Sequence, residues 1–395
     1  MNFDVETSLN KQVPPRYQWV WLFFAFLLPI TVLAENLMLI GIVMWVALRR
    51  GSAFTLAKRV PFFWPAMAFI GLAAFSLFWS VRPEVTWHRL HRLLYPIGIF
   101  ALGDIFSSAC ETEKNPAVKL AGFFIAGCVA RSLYDMIRVP LAYTSGVSLF
   151  DAGNMRDPQM YMAALCLVLA MMGYRRWRVW VPGIVGSILC LSAGLVLHFK
   201  RGVWFAFLVS IILLAIRGKR WRMLVTVAVV AIFGLMLPQV RERLHRLEDV
   251  FLTSTGGRMA LWREVAPQLL PRYPQGMGWS AVANEDLAAW AEYVQPKLNH
   301  LHNNVLEIAL ETGWAGLFAW TSWMALLLFI LFRQSKEPSR SGDRALAAGV
   351  LCAVVGLLLN GMVEYNFGDT EILLLYCMLA GLAAAQCGNK VERVS

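Results

Sequence analysis

The feature that most constrains this chain is a succession of long apolar runs separated by short clusters of Arg and Lys. A soluble core needs apolar residues at helical or strand spacing, whereas near-continuous apolar stretches approaching twenty residues suit helices immersed in lipid. Twelve such runs can be read: Tyr17 to Thr31, Leu33 to Leu48, Pro61 to Trp79, Leu93 to Ala109, Leu120 to Ile137 and Pro158 to Gly173, then Val179 to Leu197, Gly202 to Ile216, Met223 to Leu237, Trp314 to Phe332, Ala345 to Met362 and Ile372 to Ala385. Hydrophobic residues make up 58% of the chain and charged ones 15%, with a mean hydropathy of +0.56, far from an ordinary soluble domain. The expected fold class is all-α: a polytopic membrane protein with about twelve transmembrane helices.

The net charge of +11 raises the question of nucleic acid, but the basic residues sit at the ends of apolar runs rather than along one polar face. Arg49, Arg50, Lys58 and Arg59 crowd one loop, and Arg175, Arg176 and Arg178 a second. Arg217, Lys219, Arg220 and Arg222 form a third cluster, and Arg333, Lys336, Arg340 and Arg344 a fourth. With twelve spans all four clusters share one face with both termini, and the positive-inside rule makes that face cytoplasmic. A cleaved signal sequence ending near Ala34 is disfavoured by the long, Asp4- and Glu6-bearing stretch ahead of it, so the first run is kept as a span. Seven cysteines lie mostly in or beside apolar runs without CxxC spacing, which indicates neither a disulfide framework nor a zinc site.

The expected organisation is therefore residues 1–237 with spans one to nine, a large outer loop over 238–301, and residues 302–395 with spans ten to twelve. The loop is the one long polar stretch between spans, and its pattern predicts short amphipathic helices over Val240 to Phe251, Met259 to Leu270 and Asn284 to Tyr293. All six histidines fall on the outer side of this topology, as do fourteen basic residues that the topology rule does not favour there, twelve of them Arg. Arg156 and Arg138 are among them. Guanidinium suits bidentate binding of phosphate, so an anionic partner is expected; the bland duty of any one such Arg is a cap, an ion pair or a headgroup contact.

Three places stand out. Lys200-Arg201-Gly202 lies at the outer end of the seventh run, where an Arg is costly without an anionic partner. Arg258 follows Gly256-Gly257 at the start of an expected helix, where free backbone amides favour anions. His300-Leu301-His302-Asn303-Asn304 precedes another helix, with Asn304 and Glu307 at the spacing of an N-cap and its reciprocal partner. A cap at Asn304 would put His302 near the positive helix end and disfavour its protonated form, leaving an imidazole able to accept a proton; the alternative is a pair of ordinary loop histidines. The strip Trp87-His88-Arg89-Leu90-His91-Arg92 reads as a headgroup- or acceptor-binding surface. The outer loop has no DxD pair, and the chain has no Walker loop, GxSxG elbow or HExxH, so neither a metal nor a cofactor is expected.

With these residues in view, the chain resembles the O-antigen ligase and polymerase superfamily of membrane-embedded glycosyltransferases, across its topology and in several motifs. The basic turn opening a span reads Lys200-Arg201-Gly202, the loop element Gly257-Arg258 with Trp262, the proline before G-x-G is Pro274 with Gly276 and Gly278, and the H-x-H-N element runs from His300 to Leu306 with Gly313 and Gly316. Lys200 departs from the family's small hydroxyl residue. The resemblance implies a metal-independent, inverting glycosyl transfer in which Arg201 and Arg258 grip an undecaprenyl-pyrophosphate-linked glycan and His302 serves the acceptor hydroxyl. Lys200, Arg89, Arg92, His300, Asn303 and Arg156 are the expected substrate-binding residues. Lipid A-core is the favoured acceptor, at the periplasmic face of a bacterial inner membrane.

A polymerase extending a second lipid-linked chain, or an enzyme glycosylating secreted proteins, would share the same motifs. A lipid-glycan transporter, the contrasting class, should show symmetric halves and several charges within spans. No such repeat is visible, although Arg131 and Asp135 do fall inside the fifth run. Whether Arg156, Arg138, Glu364 or Asp369 joins the site is left open by the sequence.

Overall fold

The computed structural model describes residues 15–49, 52–108, 116–147, 153–172, 181–218, 225, 236, 238–245, 257–296, 298–336 and 341–391. Among the described residues every regular element is helical. The ninth expected run and much of the loop's first expected helix lie outside them.

The principal elements are α1 (Gln18–Leu27), α2 (Leu33–Arg49), α3 (Phe63–Phe75), α4 (Pro83–Arg89), α5 (Ile97–Ser108), α6 (Pro116–Thr144), α7 (Asp157–Met171), α8 (Val181–Leu197) and α9 (Arg201–Gly218). They continue with α10 (Pro238–His245), α11 (Ala266–Arg272), α12 (Asn284–Ala288), α13 (Asn304–Gln334), α14 (Ser341–Asn360) and α15 (Thr370–Val391). Among the described residues four helices have both the length and the apolarity to cross a bilayer: α6, α9, α13 and the Gly342–Asn360 part of α14. Other expected spans appear as shorter apolar helices, among them α1, α7 and the Phe63–Trp79 stretch. The ten residues of α1 rise only about 15 Å, half a hydrocarbon core.

The outward surface is what lipid requires. Val43, Ile137, Leu189, Phe205 and Phe318 are each more than 60% exposed, an arrangement water would penalise. Inside the bundle, α7 is buried on nearly every side, which is why its sequence shows no polar face. Small residues bring α5 and α15 together: a Cβ on Gly103 would lie 2.7 Å from that of Ala384, so bulk there would force the helices apart.

The two ends of the bundle differ. At one, Arg217 at the end of α9 donates to Ser335 Oγ beyond α13 (2.7 Å), and Arg49 is paired with Asp104 (2.7 Å). At the other lie the starts of α9, α13 and α15 and the end of α14, beneath a cap formed by residues 257–296 and 298–301. The cap has its own apolar core, built by Leu261, Val265, Leu269, Met277, Leu287 and Leu301 with Leu310 of α13. Arg82, just before α4, pins it by donating to Ala281 O (2.8 Å) and pairing with Asp286.

The cap docks on a break in α13. Gly313 has φ 72° and ψ −178°, so the carbonyls before it lose their helical donors. Met277 N–H and Gly278 N–H replace them at Leu310 O (2.7 Å) and Glu311 O (3.0 Å), while Trp314 N–H donates to Pro274 O (3.1 Å). A Cβ on Gly313 would lie 2.5 Å from Pro274 O, and one on Gly276 2.5 Å from Glu311 O. The proline-glycine loop and the glycine after the H-x-H-N element are thus two halves of one joint.

The expected loop helices are redrawn accordingly. The second opens at Arg258 and runs through a π turn, Leu261–Val265, into α11. The third stops at Ala288, short of Tyr293, because the Asn284 side chain donates to Gln295 O (3.1 Å) and Leu298 O and folds the chain back.

Candidate active site

The H-x-H-N element is held by its backbone before its side chains act. Leu301 is pinned from both sides: its N–H donates to Glu307 Oε2 (2.6 Å) and its carbonyl accepts from Trp262 Nε1 (2.8 Å). His302 then adopts φ 50°, a left-handed conformation that costs about 1–3 kcal/mol in a non-glycine residue and persists where the surroundings impose it. The helix cap falls on Asn303 rather than on Asn304 as expected: Asn303 Oδ1 accepts from Val305 N (2.9 Å) and Leu306 N (3.2 Å). Glu307, the expected reciprocal partner, reaches Leu301 instead.

Asn304 has a different task. Its N–H donates to Gly361 O (2.7 Å), its Nδ2 to Asn366 Oδ1 (2.8 Å), and its Oδ1 accepts from Phe367 N (3.1 Å). Asn303 Nδ2 adds a bond to Met362 O (2.9 Å). The two asparagines staple down the segment between α14 and α15 and thereby present Glu364 to His302.

Glu364 joins the candidates. Its Oε1 lies 2.9 Å from His302 Nδ1 and 3.9 Å from His300 Nε2, and its Oε2 accepts from Arg258 Nη2 at 2.7 Å. Burial opposes its ionisation, but the bond from His302 and the charges of His302 and Arg258 outweigh that and hold its pKa below the usual range. With Nδ1 turned to the ionised Glu364, the tautomer of the uncharged His302 imidazole carries its proton on Nδ1 and its lone pair on Nε2. That Nε2 is buried without a hydrogen-bond partner among the described residues. His300 stacks beside it, ring centroids 3.9 Å apart, with Nδ1 accepting from His302 N–H (3.2 Å). Burial, then the charge of His302, pushes the pKa of His300 down to about 4.

His300, His302 and Glu364 place ligand atoms within 4.8 Å of one another and could hold a metal ion. The Arg258 guanidinium on the same carboxylate works against a cation there.

Arg201 opens α9 at this end of the bundle. A Cβ on the next residue, Gly202, would lie 2.9 Å from Asn360 Oδ1 and 3.0 Å from Val363 Cγ2, and Val363 precedes Glu364. Arg201 and Lys200 are both partly buried. Of the Trp87 to Arg92 strip, Arg89 is exposed at the end of α4, while Arg92 Nη1 donates to Gly368 O (3.0 Å) in the segment that carries Glu364. Arg156 stands in a second polar cluster, paired with Asp157 and Glu371. The sequence leaves Glu364 open because it lies 48 residues beyond Gly316, the last motif residue; the polar interruption from Asn360 to Glu371 between two apolar runs is its visible signal.

Helices long and apolar enough to cross a bilayer point to an integral membrane protein, with a polar centre where several of them end. Residues 186–321 match the family model described as O-Antigen ligase, a segment that contains Arg201, Arg258 and His302. Two curated relatives, from Rickettsia typhi (strain ATCC VR-144 / Wilmington) and Rickettsia prowazekii (strain Madrid E), carry the provisional name polysaccharide ligase. Each is 26% identical over 148 residues, 35% of this chain and 35% of the relative, so the match spans about a third of their length.

Proposed function

We propose that the chain is an O-antigen ligase, transferring a glycan from undecaprenyl pyrophosphate to lipid A-core at the periplasmic face of the inner membrane. The observation that carries this reading is the bridge Arg258, Glu364, His302, with an unpartnered imidazole nitrogen in a segment of the O-antigen ligase family. Separation of that centre from the Arg217 and Arg333 end supports a periplasmic site, because the basic end belongs in the cytoplasm.

In the proposed step, His302 Nε2 takes the proton of the acceptor hydroxyl as its oxygen attacks the anomeric carbon of the donor. The bond from that carbon to the pyrophosphate oxygen breaks, and undecaprenyl pyrophosphate departs with the electron pair. Glu364 fixes the tautomer of His302 and stabilises the imidazolium that forms. Arg258 and Arg201 meet the developing charge of the leaving group, with Lys200 adding positive charge beside them; guanidiniums suffice because pyrophosphate already leaves readily. One displacement inverts the anomeric configuration, which product analysis would check. Asn303 shapes the turn that presents His302, His300 lines the acceptor side, and Arg89 and Arg92 face the acceptor's phosphates. Arg156, whose charge is answered by Asp157 and Glu371, is given no donor contact.

Deleting the gene and comparing glycans on lipid A-core with those on the polyprenyl carrier tests the reading. Bare lipid A-core with long glycans stranded on the carrier is the expected outcome. A single repeat unit on lipid A-core would make the chain a polymerase, and unchanged glycolipids would redirect attention to protein glycosylation or transport.

A further inference from the structure

The turn between α8 and α9 is built more firmly than a connector requires. His198 is completely buried, with Nε2 3.0 Å from Asp135 Oδ2 and Nδ1 accepting from Asn154 N–H at 3.1 Å. The backbone donor fixes the tautomer, since Nδ1 must be bare and Nε2 must carry the proton given to Asp135. Asp135 is itself held by Tyr161 Oη (2.6 Å) and Arg138 Nε (3.0 Å).

Phe199, the next residue, takes φ 51° while buried, its ring 6.1 Å from that of Trp204, whose Nε1 donates to Leu195 O (3.0 Å). A left-handed, β-substituted residue between a doubly anchored imidazole and a helix start is stored strain of the kind found beside functional sites. What that strain aims is Lys200 and Arg201, with Gly202 seated on Asn360.

We infer that His198, anchored by Asp135 and Asn154, is a positioning residue that sets Arg201 for the donor pyrophosphate. The inference rests on Arg201 gripping the donor, as proposed above.

Undecaprenyl pyrophosphate without a glycan is the probe, titrated against the full chain in lipid nanodiscs for wild type, Arg201→Ala, His198→Ala, the double variant and His198→Gln, with thermal melting in parallel. Arg201→Ala should weaken binding about tenfold or more, and His198→Ala several-fold; the double variant should bind no more weakly than Arg201→Ala, because His198 acts through that arginine. His198→Gln, which still reaches Asp135 with an amide N–H, should bind nearly as the wild type does.

A wild-type dissociation constant for His198→Ala, with only its melting temperature lowered, would reduce His198 to a structural staple and overturn the inference. Additive losses in the double variant would do the same. Unchanged binding by Arg201→Ala would remove the reading beneath it and the inference together. If His198→Ala cannot be recovered folded, His198→Asn against His198→Gln carries the same contrast, the shorter amide falling short of Asp135 and losing affinity.

Discussion

Two of the polar clusters among the described residues are built on different plans. In the first, the guanidiniums of Arg131, Arg138 and Arg156 meet the carboxylates of Asp135, Asp157 and Glu371, and the side chains of Asp135 and Asp157 are fully buried. Charge there is matched, and α6, α15 and the start of α7 are tied together. In the second, one carboxylate, Glu364, serves Arg258, His302 and His300, whose side chains keep 13–24% of their surface open. The first cluster answers each guanidinium with a carboxylate; the other keeps an imidazole nitrogen with no hydrogen-bond partner among the described residues. Similar residue types thus make a network of ion pairs in one place and, in the other, a carboxylate shared between a guanidinium and two imidazoles.

The sharpest way to break the contrast is to remove the open nitrogen. His302→Ala should lower transfer by about 10³–10⁴-fold, the upper range for a general base, with little change in melting temperature. Normal transfer at a normal protein level would refute the assigned role. The matched cluster should respond the other way: Asp157→Ala leaves Arg131 and Arg156 short of a buried partner and should cost about 3–5 kcal/mol of stability. Thermal unfolding in detergent measures that loss, and an unchanged transition would show that the cluster is not a staple.

Much of this division was legible in the sequence. The basic turn, the arginine after two glycines and the H-x-H-N element each identify a residue at one end of the bundle, because a charge beside an apolar run demands a reason. The joint between Gly276 and Gly313 was visible only as two motifs, since a backbone exchange across nearly forty residues leaves no local pattern. The cap was misplaced by one residue: two adjacent asparagines satisfy the same rule, and only the demand of Gly361, Asn366 and Phe367 on Asn304 decides between them. Arg156 could not be told from Arg258 by composition, because what separates them is the number of carboxylates that fold beside each.

Glu364→Gln sharpens the comparison within the open cluster. The amide still accepts from His302 Nδ1–H but supplies no charge for an imidazolium, so transfer should fall about 10²-fold, less than for His302→Ala. Donor affinity should not weaken, because Arg258 loses an internal competitor for phosphate. Weaker binding of undecaprenyl pyrophosphate by this variant would mean that Glu364 instead holds Arg258 in its binding posture.

The smallest effect belongs to His300, and it is a matter of pH. Burial pushes its pKa to about 4 in the folded protein, against about 6.5 for an unfolded histidine. The folded state therefore refuses a proton that the unfolded state accepts once pH drops below 6.5, so stability declines from there down to about pH 4 and changes no further below it on this account. His300→Gln removes that penalty: its melting temperature, compared with wild type across pH 4 to 8, should differ by a constant amount above pH 7 and gain on wild type as pH falls. In the transfer reaction the variant should keep the wild-type pH profile between 6 and 8, since His300 is neutral throughout that window. Melting curves that stay parallel to pH 4, or a transfer profile that shifts between pH 6 and 8 in the variant, would show that His300 is not held neutral by its burial.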